Sequence, residues 1–361
     1  MMPGQLDRQS AFSGTRPASG ISDHGRDALT RYLETHVGDF QGPLAIEQFK
    51  GGQSNPTYLL SAASGRYALR RKPPGKLLPS AHAIDREYRV TAALAQQGFP
   101  VARPLTYCAD ENIIGTAFFV MEHVAGRVFW EPWAPGLSGE DRSRLFAALN
   151  ATIARLHTVD ASAAGLADFG KAEGYVARQI KRWSEQYRAS AGEGIAEMDR
   201  LIAWLPKACP AQSRTAIVHG DFRLDNCIIH PSEPKVLAVL DWELATLGDP
   251  LADFTYHLMM WFMPRSDTGA GVGSLAGHES DPGIPALETY IREYCTQTGR
   301  DNIAELNVYL AYNFFRIAAI LQGIVGRVRD GTATSQNAAQ MASEVRPLAR
   351  TAWRFAEMAG A

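Results

Sequence analysis

Asp221, Asn226 and Asp241 are the residues whose types and spacing could do chemistry. The first two bound Asp221-Phe222-Arg223-Leu224-Asp225-Asn226, directly after Val218-His219-Gly220. Cys227-Ile228-Ile229-His230, a Pro-Ser-Glu-Pro turn and Lys235–Leu240 then lead into Asp241-Trp242-Glu243. Two short β-prone runs about a tight turn predict a hairpin, which returns the residue after its second strand to the one before its first. Two carboxylates and an amide thereby meet at one point. Oxygen donors of this kind suit a divalent ion bridging phosphates, with a carboxylate to act as base for a hydroxyl nucleophile.

Such a hairpin needs a frame. Residues 1–26 are rich in Gly, Ser, Pro and Gln and are expected to be a flexible leader, with partial order against the body as the alternative. From Asp27 a helical pattern begins, with Leu29, Leu33 and Val37 four apart. Leu44–Lys50, the run Gly51-Gly52-Gln53-Ser54-Asn55 and Thr57–Leu60 read as strand, glycine turn and strand, with Arg66–Arg71 a third strand. Asp85–Gln97 reads as a helix carrying Glu87, Val90, Thr91 and Leu94 on one face, and Thr116–Glu122 as a further strand. After Gly126 the pattern turns helical, starting from Ser138 and Asp141 with a stripe of Leu145, Leu149, Ile153 and Leu156. The expectation is an α+β chain of two lobes.

Composition narrows the company it keeps. Apolar residues at 46% and charged residues at 20% exclude a wholly disordered chain. With 36 Lys plus Arg against 38 Asp plus Glu, no broad nucleic-acid or membrane footprint is expected. Cys108, Cys209, Cys227 and Cys295 form no Cys-x-x-Cys pair, which fits reduced thiols in a cytoplasmic protein. Apolar runs such as Phe254–Pro264 and Ile317–Gly326 fall short of the roughly 20 residues of a membrane span, and no secretory signal pattern opens the chain. Pro73-Pro74-Gly75-Lys76 lacks the first Gly and the Ser or Thr of a Walker loop. Gly269-Ala270-Gly271-Val272-Gly273 has no strand before it or helix after it, and the 264–283 region reads as a mobile loop, a candidate lid.

The ordered series resembles the aminoglycoside phosphotransferase family, a branch of the protein-kinase-like fold. His219-Gly220-Asp221 stands where kinases carry His-Arg-Asp, Asn226 follows at the same step, and Asp241-Trp242-Glu243 replaces Asp-Phe-Gly. Leu156-His157 before Thr158-Val159-Asp160, and Gly248-Asp249-Pro250 with Asp253, extend the likeness over about residues 27–330. Leu69-Arg70-Arg71-Lys72-Pro73-Pro74-Gly75-Lys76-Leu77-Leu78-Pro79-Ser80 most resembles the kinase-like domain associated with acyl-CoA dehydrogenases.

The resemblance implies a bilobal fold with an antiparallel β N-lobe at 27–121, a hinge at 122–124 and a mainly helical C-lobe at 125–361. It implies that Asp221 accepts or orients the substrate hydroxyl proton, while Asn226 and Asp241 hold Mg²⁺ on the phosphates of ATP or GTP. Gly51, Gly52, Gln53, Ser54 and Asn55 would cover those phosphates, and Glu122, His123 and Val124 would meet the base. Arg70 occupies the place of the usual strand Lys, with Glu87 as its helix partner; Arg and Lys are not interchangeable there. His219 and His157 read as structural, as do Asp249 and Asp253, tying the following helix to the loop. Glu243 could approach a metal or serve as a cap, and Arg223 and Asp225 could face substrate or solvent.

The acceptor pocket is expected among Tyr256, His257, Met260, Trp261, Phe262, Tyr312, Asn313, Phe315 and Arg316. Aromatic residues with Arg316, Arg327 and Arg329 suit a neutral or anionic hydroxylated metabolite better than a polycationic aminoglycoside. A hydroxyacyl group, free or as its CoA thioester, follows from the family likeness, as does a functional link to an acyl-CoA dehydrogenase. A nucleotide-binding pseudokinase or scaffold is the alternative reading. A protein kinase is disfavoured by the altered His-Arg-Asp and Asp-Phe-Gly and the missing Ala-Pro-Glu signatures.

Overall fold

The computed structural model describes residues 8–51, 55–74, 83–190, 192, 194–264, 273–330 and 338–361. The N-lobe comprises α1 (Arg8–Phe12), β1 (Thr15–Pro17), α2 (Asp23–His36), β2 (Ala45–Phe49), β3 (Thr57–Ala62), β4 (Gly65–Arg71), α3 (Ile84–Gln96), β5 (Pro104–Cys108) and β6 (Phe118–Glu122). Its strands form one six-stranded sheet in the order β1-β2-β3-β4-β6-β5, with every neighbouring pair antiparallel. Alternation along β3 sends Tyr58 and Leu60 into the core, where they meet Leu29 and Leu33 of α2 and Leu69, Phe118 and Val120 of the sheet. Ser22 caps α2, its Oγ accepting from Gly25 N at 3.1 Å, so the helix starts four residues before Asp27.

Of the leader expected over residues 1–26, the described part is corrected from flexible to its alternative, order against the body. Residues 8–12 form a helix, Thr15–Pro17 pair with Glu47–Phe49 as an edge strand, and α2 begins at Asp23. A polar, glycine-rich composition hides such a strand because its order comes from pairing with β2, not from its own propensity.

The C-lobe comprises α4 (Gly139–Thr158), α5 (Tyr175–Ser190), α6 (Ala196–Ala208), β7 (Ala216–Val218), β8 (Cys227–Ile229), β9 (Val236–Val239), β10 (Thr246–Gly248), α7 (Pro250–His257), α8 (Leu287–Thr298), α9 (Leu306–Arg329) and α10 (Ala338–Met358). Ser138 caps α4 as expected, accepting from Asp141 N at 3.1 Å. Leu145, Leu149, Ile153 and Leu156 are fully buried along it, each contributing about 1.5–3 kcal/mol of apolar burial. The apolar runs were expected to fall short of a membrane span, yet α9 has 24 residues and is apolar enough to span one. Its most apolar window is 72% buried by the surrounding helices, which makes it the core helix of this lobe. All four cysteines are free.

Candidate active site

β7 runs antiparallel to β10, with Val218 opposite Thr246, and delivers the chain to His219-Gly220-Asp221. α7 starts immediately after β10, capped by Asp249, whose carboxylate accepts from Leu251 N at 2.9 Å and from Tyr309 Oη–H at 2.7 Å. One turn on, Asp253 accepts from His219 N at 2.7 Å through one oxygen and from Gly220 N at 2.8 Å through the other. His157 Nε2 lies 3.2 Å from the same carboxylate. Burial pushes the Asp253 carboxyl upward, but His157 and His219 outweigh it and hold it below the usual carboxylate range. Asp253 therefore ties α7 to the loop, as the sequence implied, whereas Asp249 caps α7 and ties it to Tyr309 of α9 instead.

Gly220 adopts φ +82°, and a Cβ there would stand 3.0 Å from Leu244 Cβ, so glycine is required where kinases carry Arg. His219 is fully buried; its Nδ1 accepts from Asp221 N at 3.1 Å, and its Nε2 donates to Leu240 O at 2.8 Å. The ring thus pins the loop to the end of β9, one residue before Asp241.

The hairpin does what its sequence predicts. Cys227 faces Val239, and Leu240 N donates to Asn226 O at 2.8 Å, bringing Asn226 beside Asp241. Asn226 Nδ2 donates to Asp221 Oδ2 at 3.0 Å and to Asp221 O at 2.9 Å, which commits its amide hydrogens and leaves its amide oxygen as the acceptor. Asp221 also takes a short hydrogen bond from Tyr256 Oη–H. Arg223 Nε sits 3.1 Å from Asp221 Oδ1 without hydrogen-bond alignment, so that contact is ionic. Asp241 sits at φ 65°, ψ 61°, a left-handed conformation that Asp tolerates better than most residues.

From the N-lobe, Arg70 closes the arrangement. Its Nε donates to Glu87 Oε2 at 2.8 Å, its Nη1 to Thr57 Oγ1 at 3.4 Å and its Nη2 to Asp241 Oδ1. Glu243 lies 4.0 Å from the same guanidinium. Burial works against the Arg70 charge, yet Glu87, Asp241 and Glu243 together raise its pKa above the ordinary value. Burial raises the Glu87 carboxyl, with Arg70 opposing.

Other expected residues fall differently. Gly52, Gln53 and Ser54 lie outside the described residues. Gly51 packs beneath Trp130 of the C-lobe, and Asn55 is buried with Nδ2 donating to Glu243 Oε2 at 3.1 Å. Glu122 ends β6 and accepts from Arg103 N at 3.2 Å, while His123 stacks on Phe49 with ring centres 6.4 Å apart. Val124 packs against a small apolar cluster that includes Ala68, Ile84 and Met121. That cluster, on the cleft side of β4 and β6, was not singled out from sequence.

The acceptor expectation is half corrected. Tyr256, His257 and Met260 do border a pocket beside Asp221, together with Phe129, Trp130 and Arg223. Tyr312, Asn313 and Phe315 instead belong to the buried core of α9, and Trp261 and Phe262 pack against that core. Arg316 lies behind the pocket, donating to Gly220 O at 2.8 Å with its guanidinium 5.1 Å from the Tyr256 ring centre. Arg223 and Asp225 are not solvent-facing: Arg223 Nη1 is 3.5 Å from Asp225 Oδ2. Of the candidate lid, residues 265–272 lie outside the described residues, and Leu275 beyond them is buried, its N–H donating to Met260 O at 2.8 Å.

The donor set suits a hard cation. Two carboxylates and an amide oxygen, with no soft ligand, match Mg²⁺, which is bound through few protein oxygens and completes its shell from water and phosphate. Among the described residues, no group of three or more His, Cys, Asp and Glu forms a self-sufficient metal cage.

A strand-rich lobe followed by a helical lobe, with a His-x-Asp loop and Asp241 facing a buried Arg–Glu pair, defines a bilobal phosphotransferase of the kinase-like class. Residues 45–306 match the phosphotransferase enzyme family, and the chain belongs to it. It is 45% identical over 351 residues to mouse acyl-CoA dehydrogenase family member 10, covering 96% of this chain and 32% of that protein. The chain thus spans about a third of the length of this curated relative. A crystal structure of a Ralstonia eutropha protein, provisionally named an aminoglycoside phosphotransferase, superposes with a TM-score of 0.82 at 46% identity, covering 92% of this chain and 98% of the other. Spectinomycin phosphotransferase in complex with ADP and spectinomycin shares the fold, at a TM-score of 0.60 and 11% identity over 92% of this chain and 98% of that one.

Proposed function

We propose that the protein transfers the γ-phosphoryl group of ATP or GTP to a hydroxyl of a small metabolite, a hydroxy acid or a hydroxyacyl-CoA. The observation that carries this reading is the setting of Asp221, held by Tyr256, Asn226 and Arg223 one hairpin away from Asp241. The acceptor oxygen would attack the γ-phosphorus as its bond to the bridging β-oxygen breaks; the electron pair leaves with the nucleoside diphosphate, and the hydroxyl proton passes to the Asp221 carboxylate. Asn226 and Asp241 would hold Mg²⁺, whose charge offsets that of the phosphates when bound. Ala68 and Met121 would receive the base beneath the Glu122–Val124 backbone.

Two observations favour a neutral or anionic acceptor over a polycation. The carboxylate in the pocket wall, Asp225, is paired with Arg8 and Arg223, and the rest of the wall is mainly aromatic and apolar. Relatives named as acyl-CoA dehydrogenase family members support a hydroxyacyl substrate and a functional link to such a dehydrogenase. A second reading, a nucleotide-binding scaffold, is favoured by Arg70, whose contact with Asp241 occupies one of the expected metal-binding oxygens.

One screen separates the two readings: ATP or GTP with Mg²⁺ against hydroxyacyl-CoAs, free hydroxy acids, amino sugars and choline-like alcohols. The kinase reading expects product from a hydroxyacyl or hydroxy-acid member. Asp221→Ala should then lower turnover by about 10²-fold or more while thermal stabilisation by nucleotide persists. Near-normal turnover in that variant would remove Asp221 as the base, and silence across the panel with nucleotide bound would favour the scaffold.

A further inference from the structure

Helix α1 belongs to neither lobe's core, yet it reaches the 219–226 loop. Arg8 is nine-tenths buried, with Nη2 3.5 Å from Asp225 Oδ2 and Nη1 3.9 Å from Glu131 Oε2. The same Asp225 oxygen lies 3.5 Å from Arg223 Nη1, and Arg223 Nε lies 3.1 Å from Asp221 Oδ1. Charges therefore alternate from Glu131 through Arg8, Asp225 and Arg223 to Asp221.

The helix is fastened at several points. Gln9 Nε2 donates to Val128 O at 2.9 Å, Trp130 Nε1 donates to Ser13 Oγ at 3.2 Å, and the Phe12 and Trp130 ring centres are 5.1 Å apart. Gly51, the first residue of the glycine run, sits so close that a Cβ would come within 2.7 Å of the Trp130 ring and 3.4 Å of Phe12 O. β1 then continues into the N-lobe sheet. One stretch of ten residues, 8–17, thus touches the glycine hairpin, the pocket wall at Trp130 and the loop bearing Asp221. Asp225 lies between Arg8 and Arg223, so without Arg8 the burden of two carboxylates, Asp225 and Asp221, falls on Arg223.

We propose that residues 8–17 form a strap completing the acceptor pocket, with Arg8 a positioning residue that holds Asp225 and, through Arg223, orients Asp221. The proposal rests on the kinase reading above, and its test separates the two.

Arg8→Ala, Arg8→Lys and a chain lacking residues 1–13 are compared with wild type for kcat, for KM of ATP and of the acceptor found by the screen, and for hydrogen exchange at 219–227. Arg8→Ala should lower kcat about 10-fold or more and raise the acceptor KM, with the ATP KM within about twofold of normal. Arg8→Lys should recover most of kcat, and the truncated chain should behave as Arg8→Ala or worse. Exchange at 219–227 should quicken in Arg8→Ala while that of α3 stays put. An altered Tm with kcat and acceptor KM unmoved would overturn the proposal, reducing the strap to a brace. If nucleotide binds but no acceptor is phosphorylated, the kinase reading falls, and exchange at 219–227 decides the coupling: faster in Arg8→Ala upholds it, unchanged overturns it.

Discussion

Arg70 spans the two lobes, its Nε on Glu87 of α3 and its Nη2 on Asp241 after β9. A guanidinium presents donors in a fixed fork and can hold both carboxylates at once, with Thr57 as a third partner. An ammonium group on a Lys stem is a point charge and would serve one partner well at a time. This explains why Arg can occupy a strand position where the family resemblance leads one to expect Lys. Arg70→Lys should therefore keep a folded protein but lose about 10- to 100-fold in kcat/KM for nucleotide, as expected for one charge-assisted hydrogen bond of about 1.5–3 kcal/mol. Arg70→Met should leave Glu87 buried and unpaired, destabilising the fold by about 3–5 kcal/mol. Steady-state kinetics and chemical denaturation check the pair; an Arg70→Lys enzyme indistinguishable from wild type would show that the fork is dispensable.

What could be read in advance was whatever is local along the chain. His219 to Asn226 is contiguous, and the strands 227–229 and 236–239 are joined by a short turn, so spacing alone places Asp241 beside Asn226. The Arg70–Glu87 pair, 17 residues apart, was expected from the family resemblance rather than from spacing, since the strand also carries Arg66 and Arg71 and the helix Asp85. Tyr256, Arg316 and Arg8 were not legible in the same way. Arg316 meets Gly220 across 96 positions, and only the packing of α9 against α7 brings it there. Tyr312, Asn313 and Phe315 share the aromatic and polar character of Tyr256 and lie on the same kind of helix, yet rotation about α9 buries them in the core. Strands β7 and β10, at three residues each, are too short for alternation to register.

Asp253 carries a prediction about the loop's frame. Its two oxygens each accept a backbone N–H, and an amide side chain would set its NH₂ against one of them. Asp253→Asn should cost about 3–5 kcal/mol, since it removes a buried charge from His157 and leaves a buried donor unanswered. Urea denaturation measures this directly. A loss under about 1 kcal/mol would mean that β7 and β10 hold the loop without it.

Tyr256 separates chemistry from packing. Phe would keep the ring beneath the Arg316 guanidinium and remove the hydroxyl that donates to Asp221. Tyr256→Phe is expected to lower kcat about 10-fold, in line with the loss of one hydrogen bond to a charged group, while Tm stays within a few degrees. Equal effects on kcat and stability would instead assign Tyr256 to the core.

His257 sets a pH dependence of stability. It is buried, with Nε2 sharing a 2.8 Å hydrogen bond with Tyr290 Oη. Burial lowers its pKa from 6.5 to about 4, a shift that Asp253 only partly opposes. In the unfolded chain the imidazole takes its proton near pH 6.5, whereas the folded protein resists until about pH 4. Between those values the unfolded state binds the extra proton, so stability falls as pH drops, by about 1.4 kcal/mol per unit and about 3 kcal/mol in all. Above pH 6.5 the imidazole is neutral in both states and adds no slope. His257→Gln should therefore lie below wild type near neutrality if the Tyr290 hydrogen bond weakens, yet converge on it as pH approaches 4. Denaturation midpoints from pH 7 to pH 4 test this: two curves that run parallel throughout would show that the buried imidazole does not titrate in that window.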